Sequence, residues 1–126
     1  MNWLVLIAGL VALSAVIGHF TMGVKSFLKP MMDASFDQVP KKVMHSVFHY
    51  ESVFMVLSAA ALISVGLGYS FNLDSILLIR FIALNYSLFA VTQIIIALTS
   101  GIPKSMTKLF QWVFWIVIAV LTWIGA

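Results

Sequence analysis

Apolar residues run through this chain in four long blocks, at 3–22, 43–67, 75–99 and 109–125, with short polar stretches between them. Each block is close to the roughly 20 residues that cross a bilayer at about 1.5 Å per residue. Lipid offers no partner to free amides, so a segment in it closes its hydrogen bonds within a helix or within a closed barrel. The blocks show no alternation with a period of two, which removes the barrel. The pattern predicts an all-α membrane protein: a single domain over 1–126, folded as an antiparallel four-transmembrane-helix bundle with helices at the four blocks.

Short connections make consecutive helices antiparallel neighbours. The one longer connection, "GVKSFLKPMMDASFDQVPKK", is bracketed by Pro30 and Pro40, which disrupt a helix interior. Met31, Met32 and Phe36 interleave there with Lys29, Asp33 and Asp37, the composition of an amphipathic connector lying on the membrane surface. "IALTSGIPKSM" ends the third helix at Gly101 and Pro103. Ala8, Ala12, Ala15 and His19 share one face of the first helix, and "SAAALIS" at 58–64 supplies small residues on the second. Such faces permit close approach within the monomer or to another chain. The first block reads as a retained helix, because no Lys or Arg precedes it and no small-residue cleavage site ends it.

Composition agrees with lipid as the solvent: 63% of residues are hydrophobic, 9% are charged and mean hydropathy is +1.11. The chain has no cysteine, hence no disulfide and no thiolate metal site. Lys25, Lys29, Lys41 and Lys42 fall in the first connection and Lys104 and Lys108 in the third, against Arg80 alone on the other side. By the positive-inside rule those two connections face the cytoplasm and both termini face outward. Trp3 and Trp123, with Tyr69 and Phe71 nearby, then belong to the outer interface and Trp112 to the inner one. The net charge of +3 and pI near 9.5 follow from this topology and from contact with anionic headgroups, and do not point to nucleic acid.

The candidate chemistry is sparse. "VMHSVFHYES" places His45, His49 and Ser52 on one helix face, and His19 reaches the same leaflet from the first helix. Gln93 and Gln111 arrive at that level from the other two helices, so polar atoms gather at the cytoplasmic end. His45 and His49, at i and i+4, with His19 as a third ligand, form a candidate zinc or copper site. Alternatively, His19 and one of the pair are axial ligands for haem. Against both stands the plainer reading, preferred here, of histidines bonded to headgroups, carbonyls or a partner, with no cofactor expected; a protonatable pair serving transport or pH sensing is a further possibility. Glu51 and Arg80 lie within apolar runs, where an ionised group needs water or a partner. Either they pair and fix the packing of helices two and three, or Arg80 snorkels to phosphate, or they serve a transport path. Asn85 and Gln93 read as interhelical hydrogen-bonding groups. No phosphate loop, nucleophile constellation or carboxylate pair is present, so the chain is not expected to be an enzyme.

"IGHF" at the end of the first helix, a basic connection, then "FHYESVFMVLSAAAL" opening the second resembles small uncharacterised four-helix inner-membrane proteins of bacteria. The likeness covers the first half of the chain, together with overall length and helix count. It implies a bacterial inner membrane and marks His19 and His49 for testing. The leading expectation is a non-catalytic accessory subunit of a larger membrane complex, or a homo-oligomer. A small oligomeric transporter or channel with Glu51, Arg80 and the histidines along its path is the second reading, and a haem- or metal-binding redox subunit the third.

Overall fold

The computed structural model describes residues 1–69 and 74–126, and among them every regular element is a helix. Phe71, expected beside Tyr69 at the outer interface, lies outside the described residues. Helix α1 (Trp3–Gly18) starts at Asn2, whose side-chain oxygen accepts the Val5 N–H at 3.2 Å. It continues without a break into a π-helical segment (His19–Leu28) and then α2 (Lys29–Asp33), one apolar rod of 31 residues. The first helix was expected to stop at residue 22. Instead the first half of the connector is helical, and the non-helical chain shrinks to 34–37. Pro30 lies inside this continuous rod, one residue after the π-helical ladder gives way to α2.

Helix α3 (Gln38–Leu67) begins ahead of residue 43 for a similar reason: Asp37 caps it by accepting from Val39 N–H at 3.1 Å, and Pro40 sits harmlessly in its first turn. Gly68, in the left-handed conformation at φ 95°, stops it. Helix α4 (Ser75–Thr99) is capped by Asp74, which accepts from Ile76 and Leu77 N–H at 3.0 and 3.1 Å. A short α5 (Ser105–Lys108) and a turn at 109–111 precede α6 (Trp112–Gly125). The last helix was expected from residue 109. At 14 residues α6 is roughly 21 Å long, against a hydrocarbon layer of about 30 Å.

Three helical segments, Trp3–Asp33, Gln38–Leu67 and Ser75–Thr99, are long and apolar enough to cross a membrane. Their outward faces are as apolar as their inward ones, with Leu10, Val56, Leu77 and Leu88 all exposed. That is the surface expected of a membrane protein, where lipid covers what water would not.

Helix α1 packs against both α3 and α6, and α4 packs against α6. The tightest contact is between α1 and α3. A Cβ on Gly9 would lie 2.7 Å from the Ile63 nitrogen, and one on Gly66 would lie 2.6 Å from Leu6 Cα. With His19 meeting Ser52 farther along, these pairs make the two helices antiparallel. Ala8, Ala12 and Ala15 are buried, so the small-residue stripe is consumed within the monomer. Consecutive α3 and α4 are not intimate neighbours as expected. They meet chiefly through large side chains: Ser58 Oγ and Tyr86 Oη are hydrogen-bonded at 2.7 Å, and the Phe54 ring lies 5.6 Å from Tyr86 and 5.3 Å from Phe89. Asn2 ties three chain ends together, donating from its backbone to Gly66 O at 2.7 Å and from its side chain to Gly125 O at 2.6 Å.

Candidate functional site

The packed core, built on Val5, Ala12, Leu62, Tyr86 and Ile118, fills the end of the molecule that holds both termini. Towards the lysine-rich end it stops at Met55, Phe89 and Trp115, and a cavity of about 640 Å³ begins there. Its cause is the short last helix. Because α6 starts only at Trp112, the space a longer helix would occupy is bordered by the turn at 109–111 and faced by the π-helical segment. A π-helix is wider than an α-helix and is often found at functional sites. Here it brings His19, Met22 and Phe27 to one wall. A Cβ on Gly18, also on that wall, would meet nothing within 4 Å.

The lining is mostly aromatic and thioether, with Phe48, Phe89, Phe110, Phe114 and Trp115 around the space and Met22 and Met55 beside them. Into this apolar shell reach Glu51, His19, Thr92, Gln93 and Gln111. The Gln111 side-chain oxygen is buried and has no hydrogen-bond partner. Among the described residues the Glu51 carboxylate likewise receives no hydrogen bond and no salt bridge.

His19 is held firmly. Its ring stacks on Phe48 at 4.0 Å, and its Nε2 lies 2.8 Å from Ser52 Oγ. Ser52 Oγ also lies 3.0 Å from the Phe48 carbonyl, so the hydroxyl links the His19 ring to the α3 backbone. His45 and His49 are elsewhere, paired with each other through Nε2 atoms 3.1 Å apart on the outside of α3. The three histidines therefore do not converge, and among the described residues no group of three histidines or acids is placed to hold a metal ion. Haem ligation by His19 has the same obstacle, because its Nε2 is engaged by Ser52.

Glu51 and Arg80 do not meet. The contacts of Phe54 with Phe89 and of Ser58 with Tyr86 put Glu51 level with Thr92 and Gln93, so Arg80 lies roughly 18 Å away along the axis at 1.5 Å per residue. Arg80 is exposed on the outer face of α4, which fits the snorkelling account. Asn85 is also not interhelical: its amide donates to Phe81 O of the same helix at 2.7 Å. Gln93 and Gln111 both line the cavity. Sequence reasoning missed the aromatic wall, because Phe27 lay in what read as a surface connector and Phe110 in an unbroken last helix.

No family model, curated protein or solved structure matches this chain.

Proposed function

We propose that this chain is a multi-pass membrane protein whose task is to bind a small amphipathic molecule in the cavity and pass it towards the lysine-rich face. In this reading the four apolar helices form an antiparallel bundle in a bacterial inner membrane. The lysines hold the first and third connections in the cytoplasm and both termini outside. The observation that carries the proposal is a ligand-sized, largely apolar space into which Glu51, Thr92 and Gln93 bring polar groups. Ligand sites are typically concave, apolar and supplied with a few converging polar groups, at volumes of about 300–1,000 Å³. An accessory subunit needs none of this.

Gly18 provides the test. Because its Cβ position is empty, Gly18→Leu fills the cavity without striking backbone and replaces a poor helix former with a good one. Protein in nanodiscs is heated alone and with a panel of amphipathic compounds of different charge. At least one compound should raise the melting temperature of the wild-type chain and leave that of Gly18→Leu unchanged. A panel that moves neither protein, or both alike, rejects the cavity as a binding site.

A further inference from the structure

Resting on that reading of the cavity, we infer the class of its occupant: an organic ammonium ion with an aromatic-sized apolar body, its N–H groups on Glu51. Glu51 lines the cavity, and among the described residues its carboxylate receives no hydrogen bond and no salt bridge. No lysine or arginine lines the space, and an anion entering it would face Glu51 with nothing to neutralise the pair. A cation meets the opposite situation. It gives the Glu51 carboxylate the counter-charge that Arg80, on the far side of the bundle, does not provide.

The walls suit the same occupant. Phe48, Phe89, Phe110, Phe114 and Trp115 present ring faces and edges, and ring faces attract cations within about 6 Å, more strongly where water is excluded. Met22 and Met55 add flexible, polarizable surface that accommodates apolar bodies of different shape. His19 Nε2 is already hydrogen-bonded to Ser52 Oγ and is not directed at Glu51.

Three probes with one body separate charge from hydrophobicity: 4-phenylbutylammonium, 4-phenylbutanol and 4-phenylbutyrate. Binding to the full chain in phosphatidylcholine nanodiscs is followed by Trp115 fluorescence, with Trp115→Phe as the blank. The ammonium should bind at least tenfold tighter than the alcohol and the carboxylate weakest of the three. Glu51→Gln should erase the preference for the ammonium while alcohol binding persists, which also shows that the variant is folded. Equal binding of ammonium and alcohol, or a preference that survives Glu51→Gln, overturns the inference and leaves the cavity a binding site for neutral amphiphiles. Absence of binding by all three overturns both. Competition from phosphatidylethanolamine added to the nanodisc would assign the amine to a lipid headgroup and overturn a free amine as the occupant.

Discussion

Glu51 and Arg80 show how an ionised residue in an apolar run can be resolved in two different ways. Arg80 sits near the start of α4 and is exposed, so its long stem can carry the guanidinium towards the headgroups at that end. Glu51, shorter and on the inner side of α3, faces the cavity. With roughly 18 Å of axial distance between them, their effects on stability are independent. Glu51→Gln and Arg80→Gln should therefore add within about 0.5 kcal/mol in a double-mutant cycle of unfolding in mixed micelles, as distant sites do. Coupling much larger than that would mean that α3 and α4 pack in a different register. Both residues were legible as exceptional in the sequence. Their separation was not, because it depends on the register of two helices whose contact is made by Phe54, Ser58, Tyr86 and Phe89.

At the scale of the element, the contact between α1 and α3 is set by two glycines that leave no room for a side chain. Gly66 faces the Leu6 backbone and Gly9 the Ile63 backbone, so enlarging either forces helix axes apart where flexible side chains cannot absorb the change. Gly66→Val should cost about 3 kcal/mol, the upper end of overpacking, because the obstruction is backbone. Thermal or denaturant unfolding measures this, and a loss below about 1 kcal/mol would show that the helices are less tightly apposed. The π-helical segment is the counterpart that no reading of periodicity supplied. Hydrophobic spacing distinguishes a helix from a strand, but an i→i+5 ladder over His19–Leu28 has no separate pattern of residue types.

The whole molecule is longer at one end than a bilayer is thick. The rods Trp3–Asp33 and Gln38–Leu67 hold 31 and 30 residues, about 45 Å each, so their shared tip projects some way beyond a hydrocarbon layer of about 30 Å. Lys25, Lys29, Lys41 and Lys42 cluster at this tip, and Lys41 is folded back onto it, donating to Ala34 O at 2.6 Å with its ammonium 5.2 Å from the Phe36 ring centre. The projecting basic tip is the end that the proposed topology places in the cytoplasm. A reporter active only in the cytoplasm should be silent when fused after Ala126 and active when inserted at 34–37. Activity at both places would mean insertion in two orientations.

From the sequence alone came the solvent and the helices: long apolar blocks can satisfy their backbone only as helices in lipid, whatever they pack against. The stripe at Ala8, Ala12 and Ala15 and the stop after Thr99 were equally local matters of residue size and of glycine and proline geometry. The cavity belongs to tertiary structure. It exists because α6 falls short and because the rod swells into a π-helical segment at the same height, and Glu51 from α3 lines it without meeting a partner among the described residues. Unfilled volume between elements is a property of their lengths and registers taken together, and no stretch of chain carries it by itself.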